Sequence, residues 1–390
     1  MWKKRVLALV MGLMMTVASG GTVLAQEDQQ GRFAMPDFDV PCKAAMLICE
    51  DTGEILYQKN PDQQLPIASI TKVMTLMLTF EAIEQGKISM TDIVPVSQHA
   101  YSMGGSQIWL EPGEQFTLDE MVKAICVSSA NDAAVAVAEF VGGSEPVFAE
   151  MMNRKAQELG MNNTVFKNAC GLDEPGHLSS ARDVALMSRA MLQQYPGVKQ
   201  YTTIWTDSLR NGQTQLTNTN KLLKRYPGIN GLKTGTTNGA GVCISASAER
   251  DGLKLIAVVL GAASSGERFD AATALLDYGF ANFEMAGCTL PENAPDKIMV
   301  ERGLSDSVQL EYPAGEGVLM PKGGAAELTV QLELPESLKA PVVKGQTIGY
   351  VVLQGKEGVL GKWPVLAKDG VEEISFHSSL EILYKSLIRL

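Results

Sequence analysis

The chain has 390 residues, enough for two or three domains, with the 45% hydrophobic and 20% charged content of an ordinary globular protein. Its formal net charge of −11 argues against nucleic acid as a partner, because binding to phosphates relies on clustered Lys and Arg.

Lys3, Lys4 and Arg5 precede an apolar run over residues 6–15. Small residues then lead to Val23-Leu24-Ala25, followed by the polar Gln26-Glu27-Asp28. That order predicts a secretory signal over residues 1–25 cleaved after Ala25, since the apolar run is short for a membrane span. Six cysteines follow it: Cys42, Cys49, Cys126, Cys170, Cys243 and Cys288. No pair has metal-ligand spacing, and apolar contexts such as Ala124-Ile125-Cys126-Val127 predict mostly free, buried thiols.

Residues 44–49 read as a buried strand that turns at Asp51-Thr52-Gly53 and returns over 54–57. After Pro66 comes the continuously apolar stretch 70–78, which predicts a core helix with Ser69 in its first turn and Gly86 as its stop. Thr117-Leu118-Asp119-Glu120 is a capping-box pattern that opens a helix to about residue 127. Ser128-Ser129-Ala130-Asn131 interrupts it, and an alanine-rich helix follows over 132–140. Further helices are expected over 145–159 and 180–193. Strands at 231–235, 241–248 and 253–260 come next, with Asp251-Gly252 as a hairpin turn. Ser264-Ser265-Gly266-Glu267 caps a helix to about residue 283. Strands at both ends and helices between them imply one antiparallel sheet with a helical cluster beside it. From about residue 289 to 374, short β-like runs alternate with Gly and Pro, which reads as a small β-sandwich. In the tail, Phe376, Leu380, Leu383, Tyr384, Leu387 and Ile388 form one stripe at helical spacing, which suits an amphipathic helix on a membrane surface.

Chemistry concentrates at three places. In Ser69-Ile70-Thr71-Lys72, Lys72 lies one helical turn from Ser69. A serine hydroxyl needs a neighbour to take its proton, and a lysine can do so once burial or nearby positive charge lowers its pKa. Ser129-Ala130-Asn131 and Lys233-Thr234-Gly235 follow in order. The histidines give little support to a Ser-His-Asp triad: His99 and His177 fall in loop-like segments and His377 in the tail.

This ordered set resembles the Ser-x-x-Lys, Ser-Asp-Asn and Lys-Thr-Gly motifs of penicillin-binding proteins and class A β-lactamases, with Ala130 where Asp is usual. Asp51-Thr52-Gly53, Gly104-Gly105-Ser106, the stretch from Glu158 to Thr164 and Asn168-Ala169-Cys170-Gly171-Leu172 narrow the resemblance. They are similar to the low-molecular-weight penicillin-binding proteins that are serine-type D-alanyl-D-alanine carboxypeptidases, over nearly the whole mature chain. The resemblance implies an α+β fold. A penicillin-binding-protein/β-lactamase-like transpeptidase domain would span 26–288, a small all-β sandwich 289–374 and an amphipathic membrane-associating helix 375–390. It implies a peptidoglycan stem-peptide substrate, acylation by β-lactam antibiotics and no metal or organic cofactor. Its setting would be the outer face of the cytoplasmic membrane and the cell-wall space.

On that reading Ser69 attacks the bond between two terminal D-alanines, and neutral Lys72 takes its proton. Ser129 relays a proton towards the leaving amine, and Asn131 orients Lys72 or a substrate amide. Lys233 favours the neutral form of Lys72 and attracts a carboxylate. The N–H groups of Ser69 and Thr236 form the oxyanion hole, and Thr234 bonds the terminal carboxylate. A carboxypeptidase must also sense a chain end, and Arg268, in the first turn after the Ser264 cap, is the candidate second cation. Other readings are a DD-endopeptidase, a class A-like β-lactamase, for which Glu158 is the nearest candidate base, or a non-catalytic protein that binds wall peptides.

Overall fold

The computed structural model describes residues 32–380, except 288 and 357, together with residue 384. The signal segment, Cys288, and Leu383, Leu387 and Ile388 of the tail stripe lie outside the described residues.

A hairpin of β1 (Ala44–Cys49) and β2 (Ile55–Lys59) opens the fold, and a 3₁₀ turn (Ala68–Thr71) leads into α1 (Lys72–Glu84). Next come β3 (Ile93–Pro95), α2 (Gln98–Tyr101), β4 (Gln115–Thr117), α3 (Leu118–Val127), α4 (Asn131–Gly142), α5 (Glu145–Glu158), α6 (Ala181–Gln194) and α7 (Lys199–Thr202). A small hairpin, β5 (Thr206–Leu209) and β6 (Thr214–Thr217), precedes the long strands β7 (Ile229–Thr237), β8 (Gly241–Arg250) and β9 (Leu253–Ala262), and α8 (Ser265–Asn282) follows.

The main sheet runs β2-β1-β9-β8-β7, every neighbour antiparallel, so strands from both ends of this region join as the sequence implies. Side chains alternate faces along a strand. Ala44, Met46 and Ile48 of β1 and Ile256, Val258 and Leu260 of β9 face one core with α1, α3, α4 and α6. Ala45, Leu47, Leu255, Ala257 and Val259 face a second core, closed by Phe269, Ala272, Leu275 and Leu276 of α8. The helical cluster expected beside the sheet covers one face, and α8 covers the other. Strands apolar at every position can satisfy both faces only when both are covered.

Local signals explain the helix ends. Thr117 accepts from Glu120 N–H while the Glu120 carboxylate accepts from Thr117 N–H, a complete capping box. Ser180 and Ser264 cap α6 and α8, and Gly143 ends α4 in the left-handed conformation. In α4, Ala133, Ala134, Val135, Ala136, Val137 and Ala138 are all fully buried. Small side chains let neighbouring helices approach this one from all sides.

The C-terminal region is all β. Its strands are β10 (Phe283–Gly287), β11 (Lys297–Glu301), β12 (Ser307–Glu311), β13 (Gly317–Pro321), β14 (Thr329–Glu333), β15 (Ser337–Lys339), β16 (Thr347–Gly355) and β17 (Gly358–Ala367). Six of them form a sheet in the order β14-β16-β17-β12-β11-β15 over a core that includes Ile298, Val308, Leu310, Val351 and Val365. β10 pairs with β13, and Leu319 of β13 is buried among the α8-side core residues, which joins the two regions.

Candidate active site

Ser69 lies in the 3₁₀ turn, and α1 begins only at Lys72, which corrects the expectation of a serine already inside the α-helix. Tertiary crowding explains the tighter turn. A Cβ on Gly235 of β7 would sit 2.9 Å from Ser69 N, and one on Gly171 would sit 1.9 Å from Ala68 O. Both neighbours press on the turn through bare backbone. A 3₁₀ turn still stacks i over i+3, so Lys72 Nζ reaches Ser69 Oγ at 2.8 Å.

The surroundings of Lys72 constrain its protons. Its Nζ is 2.6 Å from Asn131 Oδ1 and 2.7 Å from Cys170 O. Both oxygens can only accept, so two lysine N–H groups are committed to them. In the neutral amine the third position is a lone pair directed at Ser69 Oγ, the geometry for taking the hydroxyl proton. Lys72 is fully buried, and burial lowers its pKa to about 8. The amide of Asn131 is itself fixed, donating from Nδ2 to Gly104 O at 2.6 Å.

Ser129 precedes α4 with φ at +61°, a left-handed backbone rare for serine. Its Oγ accepts from Lys233 Nζ at 2.8 Å, and Lys233 also donates to Thr234 O at 2.9 Å. Burial lowers the pKa of Lys233 well below its ordinary value, and the charges of Lys72 and Arg268 push the same way. Thr234 Oγ1 donates to Thr219 Oγ1 at 2.7 Å. Thr236 is exposed beside Ser69 on β7, the edge strand of the sheet.

Arg268 comes back to the Lys233 strand. Its Nη1 is 3.2 Å from Gly235 O and from Cys243 O and 3.3 Å from Thr236 Oγ1, while Nη2 reaches Ser265 Oγ at 3.1 Å. Burial lowers its pKa to about 10, and its Nε is buried without a partner among the described residues. Lys72, Lys233 and Arg268 are thus three buried cations with only neutral hydrogen-bond partners among the described residues. Ser69 opens into a cleft edged by Gly105, Ser106, Leu172, Thr236 and Thr237. Among the described residues, no group of three or more His, Cys, Asp or Glu side chains could hold a metal ion.

The remaining candidates sit elsewhere. Glu158 is on the surface at the end of α5, paired with Lys155 at 2.8 Å. His99 belongs to α2 rather than to a loop and pairs with Glu145 at 2.6 Å. His177 is in a loop but buried, with Nε2 2.9 Å from Thr71 Oγ1. Among the described residues, Cys42, Cys49, Cys126, Cys170 and Cys243 form no disulfide with one another, and all but Cys42 are buried. Sequence reasoning missed the carbonyl of Cys170, the Thr219 hydroxyl and His177. Cys170 lies inside a stretch already singled out, whereas Thr219 carried no signal of its own.

Residues 29–264 match the family described as D-alanyl-D-alanine carboxypeptidase, and residues 291–373 match the C-terminal domain of penicillin-binding protein 5. The chain belongs to the D-alanyl-D-alanine carboxypeptidase family. It is therefore a member of a serine hydrolase family. It is 42% identical over 343 residues to D-alanyl-D-alanine carboxypeptidase DacF of Bacillus subtilis, covering 87% of this chain and 88% of that protein. It is 34% identical over 349 residues to DacC of Escherichia coli, covering 86% of each. Among solved structures, penicillin-binding protein 5 from Haemophilus influenzae superposes with a TM-score of 0.70 at 31% identity, over 87% of this chain and 100% of that one. Penicillin-binding protein D2 from Listeria monocytogenes, in its cefotaxime-bound form, covers 63% of this chain and 100% of that one at 32% identity and a TM-score of 0.59.

Acylation of this family member should speed up as pH rises through about 8, where Lys72 passes from ammonium to amine. Stopped-flow acylation by a chromogenic β-lactam across that range measures it. A rate flat through this window would mean that Lys72 is not the group that accepts the proton.

Proposed function

We propose that this carboxypeptidase removes the terminal D-alanine of peptidoglycan stem pentapeptides through an acyl-enzyme on Ser69. One observation carries the assignment: Lys72 has two N–H groups tied to Asn131 Oδ1 and Cys170 O and its third position on Ser69 Oγ. Neutral Lys72 takes the hydroxyl proton as Ser69 Oγ attacks the penultimate carbonyl. The tetrahedral oxyanion faces the N–H groups of Ser69 and Thr236, which adjoin because Gly235 lies against Ser69. Ser129 relays a proton to the departing D-alanine amine, giving up its hydroxyl proton as it takes one from Lys233 Nζ, which donates to it. Water then releases the shortened peptide.

Substrate enters extended along β7, whose outer edge has no partner strand among the described residues. Thr234 bonds its terminal carboxylate, and the charges of Lys233 and Arg268 draw that carboxylate in. β-Lactams occupy the same cleft and acylate Ser69, a reading supported by the cefotaxime-bound form of the Listeria relative. Glu158, held by Lys155 on the surface, is badly placed to deacylate rapidly as a β-lactamase would.

The mature protein works outside the cytoplasmic membrane, after loss of residues 1–25. A catalytic unit over 26–288 is followed by the β unit over 289–374, consistent with the two family matches at 29–264 and 291–373. Among the described residues, no helix is long and apolar enough to cross a membrane. The tail over 375–390 lies on the membrane surface instead, its stripe beginning with the exposed Phe376 and Leu380.

Three experiments follow. Ser69→Ala should abolish both penicillin labelling and D-alanine release without changing the circular dichroism spectrum, and label persisting on another serine would reject the nucleophile. Arg268→Ala should lower kcat/KM on free-acid peptides by about tenfold, the scale of a charge-assisted hydrogen bond, and by much less on C-terminally amidated ones. Equal losses on both substrates would make Arg268 structural. Deleting residues 376–390 should abolish co-sedimentation with liposomes while activity on soluble peptide survives, and unchanged sedimentation would place the membrane contact elsewhere.

A further inference from the structure

The turn that presents Ser69 does not hold its own shape. Ala68 sits at φ +49°, a conformation that favours glycine. Ile67, which precedes the turn, supplies no side-chain cap, and Ile70 N–H reaches Ile67 O at a long 3.2 Å. The shape is imposed by what surrounds the turn. Gly235 and Gly171 crowd its backbone, and apart from Lys72 on Ser69, the side-chain hydrogen bond that reaches it among the described residues comes from His177.

The proton positions on His177 follow from its partners. Lys167 N–H can only donate, and it points at His177 Nδ1 from 3.2 Å. Nδ1 therefore carries the lone pair and Nε2 the hydrogen, so Nε2–H donates to Thr71 Oγ1 at 2.9 Å. The ring is 4% exposed, and Phe166 meets it edge-on at 5.8 Å between centroids. Burial, helped by Lys167 and opposed by Glu174 and Asp173, lowers its pKa to about 4, which keeps it neutral at ordinary pH.

The segment that ends at His177 touches most of the site. Ala169 N–H donates to the Glu145 carboxylate at 2.9 Å, and Cys170 O accepts from Lys72 Nζ. The Asp173 carboxylate accepts from Thr237 Oγ1 at 2.6 Å and from Gly239 N–H at 2.9 Å, just beyond the Lys233 motif. One end of this segment thus fixes the base, its middle fixes the end of β7, and its far end fixes the nucleophile's turn.

We propose that His177 is a positioning residue for acylation, its Nε2–H tying the 168–177 segment through Thr71 to the turn that carries Ser69. This rests on Ser69 being the nucleophile. His177 takes no part in proton transfer, since its hydrogen bonds run to Thr71 and Lys167 rather than to Ser69. Without it, the Ser69–Lys72 distance and the direction of the Ser69 amide lose one of their external constraints. The loss should fall on the acylation step and leave initial substrate binding largely intact.

The test is a double-mutant cycle on the full-length protein with Thr71→Val, His177→Ala and both together. The readouts are the acylation rate constant and the dissociation constant for a chromogenic penicillin, with the melting temperature measured alongside. Each single variant should acylate about tenfold more slowly with little change in the dissociation constant, and the double should be no slower than the worse single. His177→Gln, whose amide can supply a donor and an acceptor, should recover most of the rate. Losses that add in the double variant, or a wild-type acylation rate in either single, would overturn the proposal. If His177→Ala does not fold, the nearly isosteric Thr71→Val decides alone, and a normal rate there refutes it. Mass spectrometry of labelled peptides separates this from the site assignment, because label on a residue other than Ser69 would reject the nucleophile rather than the role of His177.

Discussion

Three cations are buried together here with only neutral hydrogen-bond partners among the described residues: Lys72, Lys233 and Arg268. Removing charge from water is expensive unless an anion or a proton loss compensates. Proton loss is one outcome, and it makes Lys72 a base. An incoming anion is the other, and a peptide ending in a carboxylate supplies one. A protein of net charge −11 therefore keeps a locally positive cleft. The arrangement costs stability. Lys72 has a folded-state pKa of about 8 against an ordinary 10.5, so between those values the unfolded chain holds a proton that the folded one has released. Stability from this group accordingly rises as pH climbs from about 8 towards 10.5, and near neutrality the full penalty is present. A site arranged for chemistry rather than stability shows this sign.

The rest of the fold makes that burial possible. The sheet is covered on both faces, so β7 can end at the cleft while its neighbours remain dry. The alanine-rich α4 runs through the helical core and starts at Asn131, which places the amide on Lys72. Asp132, the next residue, accepts the N–H groups of Ile108 and Leu110 and so fixes the strip that continues from the cleft edge at Gly105 and Ser106. At Gly171 and Gly235 the backbones come so close to the Ser69 turn that a methyl group would not fit. These two glycines serve close approach, and at Gly171 a φ of +83° adds a second reason.

Neither His99 nor His177 is arranged as a catalytic base towards Ser69. His99 pairs with Glu145, whose other oxygen accepts from Ala169 N–H, and His177 bonds Thr71. Both brace the segment that supplies the Cys170 carbonyl. The division of labour is physically sensible. Burial brings the pKa of the Lys72 amine down to about 8, which suits it to accept a proton, while the imidazoles serve as rigid donors and acceptors.

The sequence by itself determined the local features: the β1–β2 turn, the capping box at Thr117, the stop of α1 at Gly86, the 251–252 hairpin and the order of the three motifs. Each depends on residues within a few positions of one another, where propensity and side-chain chemistry act directly. Tertiary structure alone decided the remainder. The Ser69 turn is 3₁₀ because Gly235 and Gly171, far away in sequence, press on it. α8 covers the second face of the sheet, a choice that hydrophobic period cannot express. Lys233 meets Ser129 across 104 positions and His177 meets Thr71 across 106, and nothing in either short stretch announces its partner. Contacts of that span exist only once the sheet and helical core have formed, because only packing fixes their distances.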